Sequence, residues 1–216
     1  MNTVIFDMDG LLIDSEPLWK EAANETLQSY QQHVTNELYA TTTGLRTREF
    51  VNYWFRYFQI PLEECSIAEK KIISLVTEKI KRRPSIMPSV PYIIHFFRER
   101  NFKIGIASSS PASLIELVMQ ICQITEFVHA YVSAEELQYG KPHPQVYLEC
   151  ASQLGVSPSD CICFEDSFNG MIAVKAARMK CVLVPSTSES RDPRWAAADL
   201  KIASLQNFSE LHLRMF

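Results

Sequence analysis

Glycine is scarce in this chain, which has 6 glycines in 216 residues, and its 11 prolines are an average number. The sequence also has no low-complexity tract and no internal repeat. These absences argue against long flexible linkers and against a repeat array. The apolar fraction of 47% and the charged fraction of 21% are typical of a globular protein. We therefore expect one or two compact units with a substantial core.

Concentrated positive charge and long apolar runs are also missing. The net charge is −4 and there is no basic block, so we expect neither nucleic acid nor a membrane surface as a partner. The most apolar stretches, such as residues 92–97, are too short to span a bilayer. No signal peptide is evident at the start of the sequence. We expect a cytoplasmic protein, and a monomer is the simplest assumption.

The six cysteines do not form a recognisable metal pattern. Cys161 and Cys163 share one face of a predicted strand, but the common zinc patterns need four ligands. Disulfides are rare in the reducing cytosol. We predict that the cysteines are buried thiols of the core.

The order of predicted elements indicates an α/β protein. A short β-branched strand, "NTVIF", opens the chain, and residues 16–83 are then almost entirely helical, with three predicted helices. After Pro88 the strand-like "KIGIAS", "CICFED" and "KCVLVP" alternate with helical segments. This alternation predicts a Rossmann-like, doubly wound parallel sheet covered by helices. We predict a core of residues 1–15 and 84–216 with an inserted all-helical cap of residues 16–83.

Polar residues follow each predicted strand, and the first set is acidic. Asp7 and Asp9 lie two residues apart, on the same side of the chain. Two carboxylates this close resist joint ionisation unless a cation is present, and Mg²⁺ suits such oxygen ligands. Asp7 could then attack phosphorus, and Asp9 could act as general acid and base. Alone, however, the pair also fits a solvated turn.

Two further sites offer phosphate-binding groups. Ser108 and Ser109 follow the second strand and could bind a phosphoryl oxygen, but Ser109 or Ser110 could instead cap the next helix. Lys141 stands between Gly140 and Pro142 and could offset phosphoryl charge, although a lone lysine is usually solvated.

The predicted strand "CICFED" ends in Glu165 and Asp166. Asp166 could bind a metal at the carboxyl edge of the sheet, or Asp166 and Ser167 could simply cap the following helix. Because ligands of open parallel sheets bind at this edge, we expect all of these polar clusters to meet at one crevice.

The ordered set "FDMDG", "IASSS", "GKPHP" and "FEDSFNG" resembles the four motifs of the haloacid dehalogenase superfamily. The helical insertion after the first motif is similar to that of the β-phosphoglucomutase-like branch. "FDMDGLLIDSEPLW" and "EDSFNGMIAVKAARM" look closest to bacterial phosphatases of 2-deoxyglucose 6-phosphate and hexitol phosphates. The resemblance covers essentially the whole chain.

The resemblance implies a Mg²⁺-dependent phosphatase that acts on small phosphorylated sugars or sugar alcohols through an aspartyl phosphate. It implies Asp7 as nucleophile and Asp9 as acid and base. The metal would be held by the Asp7 carboxylate, the Asp9 carbonyl and Asp166, with Glu165 nearby. Ser108, Ser109 and Lys141 would bind the phosphoryl group, and Asp14 and Ser15 would lie at the cap hinge.

Departures from the family pattern bear on the reaction. The dehalogenases lack the second aspartate, so the presence of Asp9 argues against dehalogenation. Trp19 replaces a histidine of the mutase and Thr47 replaces its cap arginine, and both changes favour water as the acceptor. Trp19 could alternatively be an aromatic anchor of the cap core. Arg46 could bind sugar hydroxyls or be a solvated surface residue.

Two rival functions remain at this stage. One is a sugar-phosphate mutase, and the other is a non-catalytic sugar-phosphate-binding protein.

Overall fold

A six-stranded parallel sheet forms the centre of the computed structural model, which describes all 216 residues. The strand order is β3-β2-β1-β4-β5-β6. The strands are β1 (Thr3–Phe6), β2 (Lys103–Ser108), β3 (Ala130–Ser133), β4 (Cys161–Glu165), β5 (Lys180–Leu183) and β6 (Leu200–Lys201). The predicted parallel sheet is confirmed, with β1 at its centre between β2 and β4.

Nine α-helices accompany the sheet. Four lie between β1 and β2, and we call this segment the helical insert: α1 (Glu16–Gln28), α2 (Asn36–Ala40), α3 (Thr47–Tyr57) and α4 (Cys65–Arg82). The others are α5 (Val90–Arg98), α6 (Ala112–Ile121), α7 (Gln145–Gln153), α8 (Phe168–Ala176) and α9 (Glu210–Leu213). None of these helices combines the length and the apolar character that a bilayer span requires.

The two faces of the sheet are both buried, because side chains alternate along each strand. Val4 and Phe6 of β1 belong to one apolar cluster, which includes α5, α6 and the inner side of the helical insert. Ile5 of β1 belongs to the other cluster, with Cys161 and Cys163 of β4, under α7 and α8. Helices on both faces give the doubly wound architecture that the sequence predicts.

Four of the strands and helices were not predicted from the sequence, and one of them is helix α9, which has four residues and none of them buried. The edge strands β3 and β6 are short and only partly buried, so they lack the apolar run that marks the central strands. Helix α2 has five residues and none of them is buried, so it shows no helical periodicity of apolar residues. Each missed element is one whose sequence carries little hydrophobic signal.

All six cysteines are free thiols, as the sequence predicts. Five are buried, and Cys65, at the start of α4, is half-buried. Burial raises the pKa of the Cys122 thiol to about 11. These thiols act as apolar core groups.

The helical insert is joined to the rest of the chain by two segments that lie side by side. The backbone N–H of Asp14 donates to the Ser85 carbonyl at 2.8 Å, and that of Met87 donates to Leu12 at 3.1 Å. Ile13 and Ile86 form an antiparallel bridge between them. The predicted hinge residues Asp14 and Ser15 therefore lie where these two segments pair.

Candidate active site

A cleft of about 590 Å³ lies between the carboxyl edge of the sheet and the helical insert. Its lining includes six residues singled out from the sequence: Asp7, Asp9, Ser108, Ser109, Lys141 and Asp166. They come from four separate segments, each of which follows a strand. The structure therefore brings the polar clusters together at one crevice, as the sequence predicts.

Lys141 is buried at the base of this cleft, with 1% of its surface exposed. Its Nζ lies 2.6 Å from Asp7 Oδ1 and 2.6 Å from Glu165 Oε1. Burial alone would lower the pKa of Lys141, but the two carboxylates outweigh it and raise the pKa above its usual value. The ammonium group is thus held in its charged form, and the alternative of a solvated surface lysine is wrong.

Glu165 holds the other components of the site in place. Its Oε1 accepts hydrogen bonds from Lys141 and from the Tyr147 hydroxyl, both at 2.6 Å. Its Oε2 accepts from the backbone N–H of Asp166 and from the N–H and hydroxyl of Ser167. Burial opposes ionisation of Glu165, but Lys141 and the other donors together lower its pKa. Because both oxygens are fully engaged, Glu165 is better suited to orient its neighbours than to bind a metal directly.

Asp7 and Asp166 offer the carboxylate oxygens that best fit a divalent cation. Together with Glu165, they place one oxygen each within 4.8 Å of one another. Burial, opposed by Lys141 and reinforced by Glu165 and Asp9, raises the pKa of Asp7 to about 7. Burial and the charges of Glu165 and Asp7 also raise the pKa of Asp166 well above its usual value. Close carboxylates that resist ionisation are a donor set that a hard cation would stabilise.

Helix α8 is capped by Ser167 and not by Asp166. The Ser167 hydroxyl accepts from the N–H of Gly170 at 3.0 Å, so the capping alternative is confirmed for Ser167 and wrong for Asp166. Gly10 packs directly against Asp166: it has φ +72°, and a Cβ there would lie 2.1 Å from Asp166 Oδ2. Asp166 is therefore left free to face the cleft.

The Asp9 carboxylate is held by side chains from two directions. Oδ1 accepts from the Ser15 hydroxyl at 2.6 Å and from the Trp19 indole N–H at 2.8 Å. Oδ2 accepts from the Ser110 hydroxyl at 2.6 Å, with Ser108 further away at 3.5 Å. A solvated turn does not describe this aspartate, since its oxygens are engaged by named donors.

None of the three serines at the end of β2, Ser108, Ser109 and Ser110, caps the next helix. Helix α6 has Pro111 at its N-cap and no side-chain cap, so capping by Ser109 or Ser110 is wrong. Ser108 Oγ accepts from the backbone N–H of Ser110 at 3.0 Å, and the hydroxyl of Ser109 donates to the Gly44 carbonyl at 2.7 Å. These serines therefore contact both the loop after β1, which carries Asp9, and the helical insert.

Arg46 fastens the helical insert to the sheet edge. It is 7% exposed, and its Nη1 donates to the carbonyls of Ala134 and Leu137 at 3.0 and 2.6 Å. Asn169 adds a hydrogen bond to the Thr43 carbonyl at 2.8 Å. Both alternatives considered for Arg46 are therefore wrong, because its guanidinium neither lines the cleft nor lies in solvent.

The insert side of the cleft carries hydroxyl and aromatic groups with one carboxylate. The lining residues from the insert are Glu16, Trp19, Ala23, Tyr39, Thr42, Thr43, Gly44, Leu45, Thr47, Phe50 and Ile72. Burial and the charges of Asp9 and Asp7, opposed by a hydrogen bond with Tyr39, raise the pKa of Glu16 to about 8. Trp19 packs against the core but also lines the cleft, so it is more than an anchor of the cap core.

Sequence reasoning missed four contributors to the site. Ser110 contacts Asp9, Tyr147 contacts Glu165, and Glu16 and Tyr39 line the cleft. Glu16 was visible in the acidic "DSEP" stretch and Ser110 in the serine run. Tyr147 and Tyr39 carry no comparable signal, because each reaches the site only through tertiary packing.

The fold and the cleft together define a hydrolase class. Residues 4–184 match the family model described as "Haloacid dehalogenase-like hydrolase", and the chain belongs to this family.

Several individual proteins are similar to this chain over most of its length. Hexitol phosphatase B of Escherichia coli is 42% identical over 205 residues, which are 93% of this chain and 91% of that protein. A phosphorylated carbohydrates phosphatase of Thermotoga maritima is 29% identical and covers 82% of each chain. Among solved structures, β-phosphoglucomutase of Clostridium difficile superposes with a TM-score of 0.89 at 20% identity. That match covers 100% of this chain and 96% of the other, and it bears on the fold alone.

Proposed function

We propose that this protein is a Mg²⁺-dependent phosphatase that hydrolyses phosphate monoesters of small sugars or sugar alcohols, hexitol phosphates among them. The observation that best supports this proposal is the grouping of Asp7, Asp9, Lys141 and Asp166 around one cleft. The 42% identity to hexitol phosphatase B supports the substrate class. In this reading residues 16–83 form a cap over the core of residues 1–15 and 84–216.

The proposed reaction has two steps. A carboxylate oxygen of Asp7 attacks phosphorus, the bond from phosphorus to the sugar oxygen breaks, and Asp9 donates a proton to that oxygen. Water then attacks the phosphorus of the aspartyl phosphate while Asp9 accepts a proton, which regenerates Asp7 and releases inorganic phosphate. Lys141, with the hydroxyls of Ser108 and Ser109, would stabilise the phosphoryl oxygens.

Magnesium would be held by the Asp7 and Asp166 carboxylates and the Asp9 carbonyl. When bound, it would neutralise charge on the phosphoryl group and on the acidic cluster. The saturated hydrogen bonding of Glu165 supports a role in orienting Lys141 and Asp166 rather than as a ligand.

The charges of the cleft support a neutral sugar with one phosphate. Lys141 is the only cation among the lining residues, and it is already paired with two carboxylates at the base. The insert side presents Glu16 together with threonine and tyrosine hydroxyls. Hydroxyl groups of a polyol can donate to and accept from these side chains. A second phosphate there would meet the carboxylate of Glu16 and no compensating cation.

The test of this proposal is phosphate release from a panel of phosphorylated sugars and hexitols with Mg²⁺. We expect turnover of hexitol phosphates that stops when EDTA is added and returns with excess Mg²⁺. Asp7→Asn should reduce turnover by at least about 10³-fold, because an amide oxygen is a poor nucleophile. Normal phosphate release from that variant, or turnover that resists chelation, would contradict the assigned nucleophile or metal.

Two readouts, isomer formation and phosphate release, separate the two rivals from a phosphatase. A mutase would convert β-glucose 1-phosphate into the 6-isomer in the presence of a trace of bisphosphate, and a binding protein would release no phosphate. Thr47 lines the cleft where the mutase resemblance places an arginine, which favours hydrolysis over transfer to a second phosphorylated sugar.

A further inference from the structure

The indole of Trp19 makes a specific polar contact across the mouth of the cleft. Trp19 lies in the first turns of α1, in the helical insert, whereas Asp9 belongs to the loop after β1. The distance from Trp19 Nε1 to Asp9 Oδ1 is 2.8 Å. The contact therefore links the helical insert to the carboxylate that the proposed reaction uses for proton transfer.

The Ser15 side chain reinforces this contact. Ser15 occupies the N-cap position of α1, but its hydroxyl caps no backbone N–H and donates to Asp9 Oδ1 instead. A serine at a helix N-cap normally accepts from the second or third N–H of the helix. Here α1 forgoes that cap, and both Ser15 and Trp19 direct their donors to one oxygen of Asp9.

We propose that Trp19 is a positioning residue for Asp9 in the first step of the reaction. This inference rests on the proposed phosphatase function and deepens it. The indole N–H holds Oδ1, and Ser110 holds Oδ2, so the carboxyl group is fixed in rotation at the edge of the cleft. A fixed carboxyl group can deliver its proton to the sugar oxygen without first losing torsional freedom.

The chemistry of indole suits this role. An indole nitrogen donates a hydrogen bond but does not accept one, and it does not ionise at neutral pH. Trp19 can therefore orient Asp9 without competing with it for the transferred proton. The ring also packs against the apolar core, which restricts its own movement.

The experiment compares two esters whose leaving groups differ in their need for a proton. The leaving oxygen of a hexitol phosphate is strongly basic, whereas that of p-nitrophenyl phosphate leaves readily as an anion. We expect Trp19→Phe, which keeps an aromatic ring but removes the N–H, to reduce kcat/KM for a hexitol phosphate by at least about 10-fold. The reduction for p-nitrophenyl phosphate should stay within about threefold, since that step needs little acid catalysis.

The ratio of the two kcat/KM values does not depend on the fraction of enzyme that is folded, so partial unfolding of the variant cannot imitate the result. Trp195→Phe is the matched control, because the Trp195 indole donates to the Glu189 carbonyl outside the cleft. The ratio of the two kcat/KM values for Trp195→Phe should equal that of the unmodified enzyme.

Two contrary outcomes have different meanings. An equal fall for both esters in Trp19→Phe, or no fall, would overturn the positioning role and leave Trp19 a packing residue. If the unmodified enzyme hydrolyses neither ester in the presence of Mg²⁺, the proposed function itself fails.

Discussion

At the scale of single residues, the site depends on one buried cation and the carboxylates around it. Lys141 and Glu165 are almost completely buried, and Asp7 is 6% exposed. Burying such charges is costly, and their mutual attraction and hydrogen bonds offset the cost only while every partner is present. The arrangement is therefore sensitive to the loss of any one member.

We predict that Lys141→Met destabilises the protein far more than removal of a surface lysine. The substitution leaves Glu165 and Asp7 buried without a cation, so the free energy of unfolding should fall by about 3–5 kcal/mol. Lys175→Met is the control, since Lys175 is 35% exposed and its pair with Asp199 is screened by water. That change should cost less than about 1 kcal/mol. Urea denaturation in EDTA measures the free energy of unfolding of both variants. Equal losses would show that Lys141 does not compensate the buried carboxylates.

Residue identities at the site were largely predictable, but their contacts were not. Asp7 and Asp166 each follow an apolar strand, Ser108 ends one, and the strand ends of a parallel sheet meet at one edge. The contact of Trp19 with Asp9 depends on how α1 leaves that edge, which no local pattern encodes. Arg46 is similar: its partners Ala134 and Leu137 lie about ninety positions further along the chain.

At the scale of elements, the central part of the fold was predictable and its margins were not. β1, β2, β4 and β5 have continuous apolar runs because helices cover both of their faces. β3 and β6 are at the edges of the sheet, where one neighbour is missing and burial is incomplete. The pattern of apolar residues in the sequence reflects which side chains are buried. A strand or helix with few buried side chains therefore has no clear pattern from which it could be predicted.

We predict that Gly44→Ala impairs docking of the helical insert. Gly44 has φ +84°, and a Cβ there would lie 2.5 Å from Ser167 Oγ across the contact between insert and core. The displaced loop should lower kcat/KM about 10- to 100-fold, because a shift near 1 Å misplaces the substrate.

Gly155→Ala separates this docking effect from backbone strain. Gly155 also has a positive φ, +64°, but a Cβ there would meet nothing within 4 Å. Both variants should lose about 1 kcal/mol of stability, whereas Gly155→Ala should keep its full activity. A comparable loss of kcat/KM in both variants would show that the contact with Ser167 is unimportant.

At the scale of the whole molecule, the raised pKa values of the carboxyl groups in the cleft couple stability to pH. Without metal, the pKa of Asp7 is raised to about 7 and that of Glu16 to about 8, mainly by burial. The stability that such a carboxyl group contributes is fully present below the pKa of the unfolded state, near 4. It is lost as the pH rises through the pKa of the folded state, which is about 7 for Asp7 and about 8 for Glu16. The metal-free protein should therefore lose stability between pH 6 and pH 8.

We predict that Mg²⁺ stabilises the protein more at pH 8 than at pH 6. The metal requires ionised carboxylates, and protons compete for them at the lower pH. At a Mg²⁺ concentration tenfold above Kd the gain is about 1.4 kcal/mol, which corresponds to about 3–6 °C in Tm for a domain of this size. Thermal melts with EDTA or Mg²⁺ at the two pH values measure the difference. An equal shift in Tm at the two pH values would show that the carboxyl groups with a raised pKa do not bind the metal.

The paired segments around Ile13 and Ile86 have a consequence for redesign. Because the helical insert is attached through two neighbouring peptides, its ends are separated by little more than one strand spacing. A foreign helical module with closely spaced termini could be spliced in at this junction with little added loop-closure entropy. The lining that the insert contributes to the cleft could then be exchanged as a unit while Asp7 and Asp9 keep their own scaffold.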